Sequence, residues 1–334
     1  MEKIITLDHG SGGIRTSQLI EQMLLPAFQN PALEDLGDGA LLDNMGEERL
    51  VFSTDSFVVS PWCFPGGNIG KLAVCGTVND ICMAGGRPRY LSLSFILEEG
   101  FPESALREVV ASIAETAREA GVEIVTGDTK VVERGKGDGI YINTSGIGFL
   151  RAQGLGKQAI RPGDAVLVSG SIGCHGAAVM MARGELPCEG TLLSDCRPLH
   201  KLSGKVLQAG GIRIMRDPTR GGVATTLNEF VEKTELTVEL EEDKIPVDLP
   251  VEAACELLGL DPLYSACEGR MLAIAAPERT EAVLEAMQRE PGGERAACIG
   301  YVTQSRPGKV VLKTRLGGSR LLGKLAGAQL PRIC

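Results

Sequence analysis

Residues 101–128 read FPESALREVVASIAETAREAGVEIVTGD, and a change of period inside this stretch decides the fold class. Leu106, Val109, Val110, Ile113 and Ala117 recur at helical spacing and share one face. Pro102 suits a first helical turn, and Gly121 supplies the stop. Val122, Ile124 and Val125 then crowd together as a strand over 122–128 that runs into a loop at Asp128. A helix followed at once by a strand is the unit of an α/β sheet.

The same alternation extends outward in both directions. LVFSTDSFVV (50–59), YLSLSFIL (90–97) and IYINTSGIGFL (140–150) read as strands, rich in β-branched and aromatic residues. RAQGLGKQAIRPGDAVLVSG (151–170) reads as a hinge into a second unit, with a turn at 161–164 and a buried strand at 165–168. Helical patterns follow at 199–209, 221–233, 250–258 and 278–290, with strands at 236–241, 270–275 and 298–303. The pattern predicts two α/β domains, 1–150 and 151–315. The segment 316–334, LGGSRLLGKLAGAQLPRIC, reads as a flexible tail whose Leu321, Leu322 and Leu325 could dock as one short helix turn.

Composition narrows the function. A chain of 334 residues is long for one core and natural for two. Its 43 glycines are nearly twice the usual share, which points to tight turns and to backbone that approaches a ligand closely. A net charge of −9 without a basic run argues against nucleic acid as partner. Ten cysteines with no C-x-x-C, and only His9, His175 and His200, argue against a zinc site. No long apolar run and no signal-like start are evident, so a cytoplasmic setting with reduced thiols is expected.

Four aspartates recur in similar contexts: Asp38 in LGDGALL, Asp55 in FSTDSFV, Asp80 in VNDICMAGG and Asp128 in VTGDTK. Carboxylates gathered near strand ends repel one another, and a hard cation such as Mg²⁺ would relieve that and bring a phosphate with it. Turn preference alone is the plainer account of the same residues. Three glycine-rich loops fit anion binding: DHGSGGIRTSQ (8–18), NIGKLAVCGTVNDICMAGGRP (68–88, carrying Lys71, Asn79, Asp80 and Arg87) and RDPTRGGVATTLNEF (216–230). None is a Walker A or a dinucleotide fingerprint.

Taken in order, GDGA, STDSF, GKLAVCGTVNDICMAGGRP, TGDTK, RPGD and DPTRGG span nearly the whole chain. This set resembles the PurM-like superfamily of ATP-dependent enzymes, which includes aminoimidazole ribonucleotide synthetase, selenophosphate synthetase and thiamine-monophosphate kinase. With DHGSGG, YSACEG (264–269) and the final PRIC, the sequence is similar to the hydrogenase maturation family HypE. The resemblance implies an N-terminal α/β domain whose sheet pairs into a barrel across a homodimer, with a second α/β domain beside it. It implies ATP and Mg²⁺ held mainly by the first domain, with Asp38, Asp55, Asp80 and Asp128 as metal-linked carboxylates and Lys71 and Asn79 near the phosphates.

It also implies a reaction. Cys334 receives a carbamoyl group from the carbamoyltransferase HypF. The S-carboxamide is dehydrated to a thiocyanate with ATP, and the cyanide passes to iron on the HypC–HypD complex for the [NiFe]-hydrogenase centre. Lys130 and Glu268 match positions implicated in the dehydration, which needs a base for two N–H protons. Cys267 adjoins Glu268, and the remaining internal cysteines read as small core hydrophobes. His9 fits either a phosphate contact or a cap, and His175 at a helix start fits a structural role equally well.

An arm over 317–334 could span up to roughly 60 Å extended, enough to carry a thiol from an internal site to another protein. The tail is therefore expected in two positions, inserted and exposed, and Arg332 could serve either. Two other readings stand beside the dehydratase. One is a small-molecule kinase or synthetase of the same fold, with a dispensable Cys334. The other is a thiol-bearing scaffold without ATP turnover.

Overall fold

The computed structural model describes residues 13–19, 21, 40–42, 49–184, 192–325, 327 and 332–334. In the first domain a helical turn α1 (Ile14–Leu19) precedes the strands β1 (Ala40–Leu42) and β2 (Leu50–Phe57) and a small hairpin, β3 (Cys63–Phe64) and β4 (Gly67–Asn68). Helix α2 (Ile69–Met83), strand β5 (Gly86–Glu98), helix α3 (Glu103–Ala120) and strands β6 (Glu123–Val132) and β7 (Ile140–Leu150) complete it. The sheet order is β1-β2-β7-β5-β6, antiparallel except for the β5–β6 pair.

Helix α3 forms where the 101–128 stretch predicts it. Gly121 ends it at φ 67, a left-handed position that a side chain would strain. Val109, Ile113 and Ala117 are buried, whereas Val110 is 46% exposed, because the helix covers the sheet with a narrower stripe than five residues.

The segment 68–88 is not a loop. It is mostly α2, with 13 of its 15 residues buried. A helix that is apolar all round lacks the 3.6-residue signature, and its glycines then suggest a loop. Asn68 caps it, accepting from the N–H groups of Gly70 (2.9 Å) and Lys71 (3.1 Å). On the helix-covered face, Thr77 and Thr144 join α2 to β7 at 2.6 Å. The opposite face carries the half-exposed Phe52, Ile96 and Ile147.

The second domain runs β8 (Ala165–Val168), α4 (Cys174–Ala182), α5 (His200–Ala209), β9 (Ile212–Arg216), α6 (Gly222–Val231), β10 (Thr237–Glu241), α7 (Leu249–Leu258), β11 (Leu272–Ala275), α8 (Thr280–Gln288), β12 (Ala297–Thr303), β13 (Lys309–Lys313) and β14 (Ser319–Leu322). Its seven-stranded sheet has the order β14-β13-β10-β12-β8-β11-β9. Strands β8 and β11 are buried throughout and read as continuous apolar runs.

Strand β14 stands where leucines 321 and 322 suggested a helix turn: it pairs antiparallel with β13 and seats Leu322 in the core. One apolar core crosses the domain boundary, joining Leu72 and Val78 of α2 to Leu202 of α5, Met271 and, from the end of the chain, Ile333.

Candidate functional site

The last residues dock where the domains meet. Val58 N–H donates to Cys334 O (3.1 Å), and Ser60 N–H donates to Arg332 O (3.2 Å), so the tail runs antiparallel beside the stretch after β2. Arg332 donates from Nε to Val58 O (3.0 Å), pairs with Asp138 and lies 5.9 Å from the centre of the Tyr141 ring. In this docked pose Arg332 thus serves the inner site.

Docking sets Cys334 among Glu268, Arg220, Asp55 and Asp217. Desolvation pushes its thiol far above the ordinary range, with Glu268 adding to the shift and Arg220 opposing it. The docked sulfur is a protonated thiol, not a thiolate.

Glu268 comes from the YSACEG stretch, which folds against DPTRGG through Cys267 N–H donating to Pro218 O (3.0 Å). Gly269 is needed at the next position: a Cβ there would fall 1.8 Å from Asp195 O. This close approach lets Asp195 accept from Glu268 N–H at 3.1 Å. Glu268 is only 2% exposed, and its Oε1 has no hydrogen-bond partner among the described residues. Burial, followed by neighbouring acidic groups, holds its carboxyl well above the usual range. Such a carboxyl is poised to exchange a proton with whatever Cys334 carries.

Arg220, from the glycine turn before α6, lies 3.9 Å from Asp55. Burial raises Asp55, and Arg220 only partly offsets that. Asp80 accepts from Ser53 Oγ (2.7 Å) and also acts on Arg220. Neither aspartate ends a strand. Asp55 lies inside β2 and Asp80 inside α2.

Asn79 is fully buried, with its amide given to the second domain. Its nitrogen donates to Arg197 O and Glu268 O (both 3.2 Å), and its oxygen accepts from Leu199 N–H (2.7 Å). It holds the backbone of Glu268 in place. Lys71 Nζ donates to Gly66 O (3.1 Å) beside the α2 N-terminus.

Asp128 and Lys130 lie apart from Cys334. They fall within β6, which continues to Val132, so the loop expected at Asp128 is a strand interior. Their register partners Ser94 and Ile96 pair in turn with Asn143 and Tyr141, on the open face of the sheet. Lys130 Nζ bonds both carboxylate oxygens of Asp128 (2.6 and 2.7 Å) and lowers its pKa.

Asp38, His9 and Cys188 lie outside the described residues. Among the described residues no three metal-ligating side chains converge. Cys267 is buried and accepts from Gly173 N–H (3.1 Å), while Cys63, expected among the core hydrophobes, is exposed.

Sequence reasoning missed Arg183, which donates to Arg332 O and Ser60 O. Nothing marked it, since what it reads on the tail is a backbone carbonyl. Arg220 did have a signal, the glycine pair that follows it.

Comparison with known proteins agrees with this architecture. The N-terminal domain model of the AIR synthase related protein family matches residues 36–150, and its C-terminal domain model matches residues 161–313. The carbamoyl dehydratase HypE of Rhizobium leguminosarum bv. viciae is 51% identical over 333 residues, covering 99% of this chain and 95% of the relative. A crystal structure of hydrogenase maturation protein HypE in complex with ATP superposes with a TM-score of 0.83 at 48% identity, covering 99% of this chain and 100% of that one. The crystal structure of a HypE–HypF complex gives 0.86 at 44% identity, covering 92% and 99%. With this identity over its full length and both domain models matched, the chain belongs to the HypE family of AIR-synthase-related proteins.

Proposed function

We propose that this chain is an ATP-dependent carbamoyl dehydratase acting on its own Cys334, converting the S-carboxamide there to a thiocyanate for the iron of a [NiFe]-hydrogenase. The observation that carries the reading is the docking of Cys334 beside Glu268, a buried carboxyl with a raised pKa and an unpartnered oxygen.

ATP supplies the leaving group, because phosphorylation of the carboxamide oxygen lets it depart as phosphate. The C–O bond breaks with its electron pair going to that phosphate, and the nitrogen gives up both protons as the C≡N bond forms. Glu268, itself shielded from bulk water, receives one of these protons, and its raised pKa matches the task. Arg220 holds the negative charge that develops beside Cys334. Lys130 stands about 10 Å across the sheet from Tyr141, two strand spacings away, and acts on the phosphate side of the reaction.

Magnesium would travel with the nucleotide. The described residues of one chain do not by themselves make its site, since Asp55 and Asp80 gather at Arg220 while Asp128 faces the other way. No step here runs through it.

A protonated, docked thiol is a poor acceptor for a carbamoyl group. Loading from HypF and delivery to HypC–HypD therefore belong to a released tail, and dehydration to the inserted one. The open face of the first sheet, with Phe52 on β2, Ile147 on β7 and Ile96 on β5, together with the edge strand β6, suits a homodimer that closes a barrel. Among the described residues no helix is long and apolar enough to cross a membrane. We propose the cytoplasm as the setting of the cycle. A small-molecule kinase of this fold would have no use for a docked terminal thiol.

The test is to carbamoylate the protein with its transferase, add Mg-ATP and follow the C-terminal peptide by mass spectrometry. Loss of one water at Cys334 is expected in the native protein and not in Cys334→Ala. ADP release with Cys334 unchanged would sink the reading.

A further inference from the structure

His175 is the second residue of α4, a helix apolar on every side, and it is fully buried. Phe64 packs edge-on against its ring, with centroids 5.2 Å apart. Nε2 lies 2.7 Å from Ile333 O, and Nδ1 lies 2.8 Å from Ser194 Oγ. The protons on this chain of contacts can be assigned from the partners. Ile333 O only accepts, so Nε2 carries a hydrogen. Ser194 Oγ accepts from Cys196 N–H (3.1 Å), which leaves its own proton for Nδ1. Burial lowers the imidazole pKa and keeps the ring neutral. One tautomer satisfies every atom.

Arg183 caps the far end of the same helix. Its Nη2 donates to Arg332 O (2.7 Å) and its Nε to Ser60 O (2.7 Å). Two consecutive carbonyls of the tail are therefore caught by one helix, from residues that stand about 12 Å apart along its axis. Arg332 itself sits at φ 53, a left-handed backbone that a non-glycine residue keeps only when its surroundings hold it.

We propose that α4 is the latch of the tail, with His175 and Arg183 as positioning residues that set how long Cys334 stays beside Glu268. The latch reads main-chain carbonyls and not the sulfur, so it grips free, carbamoylated and cyanated tails alike. Ser194 acts through His175 by fixing the donor nitrogen toward the tail. This rests on the dehydratase reading, which makes residence at Glu268 the step that matters.

Two readouts on the full-length protein test it. The first is alkylation of unmodified Cys334 by iodoacetamide without ATP, followed on the C-terminal peptide. Losing one such hydrogen bond should speed it roughly tenfold in His175→Asn and in Arg183→Gln. His175→Gln, whose amide nitrogen can reach the place of Nε2, should stay close to the native rate. The second is single-turnover dehydration of the carbamoylated protein, which should slow by a similar factor in the first two variants with the ATP concentration for half-saturation unchanged.

Arg183 is only half-buried, so its variant keeps the test alive if His175→Asn fails to fold. Equal alkylation rates in folded variants would overturn the latch, and so would a Gln variant as impaired as Asn. If the alkylation pattern holds but native protein yields no thiocyanate, the latch stands and the dehydratase reading falls.

Discussion

Glu268 and Asp128 are both acidic residues in short glycine-bearing motifs, and the fold treats them in opposite ways. Glu268 is 2% exposed with an unpartnered oxygen, and burial raises its pKa. The Asp128 side chain is 58% exposed, and its salt bridge to Lys130 lowers its pKa. In the enclosed region desolvation, above all, raises the carboxyl pKa, and this is the state the proposed proton acceptor needs before any nucleotide arrives. On the open face the charges are satisfied by each other and by water, and they turn to chemistry only when something displaces that pairing. The first region carries its readiness in the fold, whereas the second waits for an arrival.

The sharpest way to break this contrast is Glu268→Gln. It removes the proton acceptor without changing the shape, and dehydration of carbamoylated Cys334 should fall by roughly two to four orders of magnitude. The same change should raise the melting temperature. A carboxyl whose folded pKa lies above its unfolded value makes the native state bind more protons, so native stability declines as pH rises from the unfolded pKa through the folded one. The variant lacks that slope. Its advantage in thermal unfolding should be absent near pH 4, widen as pH rises and then level off above the folded pKa. A flat difference across pH would mean Glu268 is not a desolvated acid, and the contrast with Asp128 would be lost.

Second in size is the support beneath Glu268. Asn79→Ala removes three buried hydrogen bonds that join α2 to the backbone at residues 197–199 and 268. It should lower unfolding stability by about 2–4 kcal/mol, measured in urea, because Leu199 N–H and two carbonyls lose their partner inside the protein. ATP affinity should survive at a temperature where the variant is still folded. Loss of ATP binding with stability intact would instead place Asn79 at the phosphates, as the family resemblance implies.

Much of this was legible in the residues, and the failures have physical causes. Helix α3 announced itself through period and caps, and the strands of both sheets through β-branched runs. Helix α2 did not, because burial on all sides erases the amphipathic pattern and three of its residues (Gly70, Gly76 and Asn79) suit loops as well. Strand β14 was hidden by the glycines before it, which read as a loose tail and instead lie in the turn of a hairpin with β13. At the site, Glu268 and Cys334 came from motif likeness, and their juxtaposition is a tertiary fact. His175 fitted a structural role equally well, and Arg183 carried no mark, because carbonyl recognition leaves no trace in composition.

The smallest expected effect is the most direct comparison of the two regions. Lys130→Ala removes a cation that is 68% exposed and bonded only to a neighbouring carboxylate among the described residues. An exposed pair on an edge strand contributes little to the fold, so the melting temperature should not move. Iodoacetamide should reach Cys334 no faster than in native protein, because among the described residues no hydrogen bond of the docked tail reaches β6. Dehydration should still slow, since the phosphate side loses a positive charge. The informative result is the alkylation rate. If Lys130→Ala exposes Cys334, the open face and the enclosed centre are coupled through the sheet, and the division between a prepared site and a waiting one fails. If the rate holds while turnover drops, Lys130 acts on what arrives, and Glu268 on what is already there.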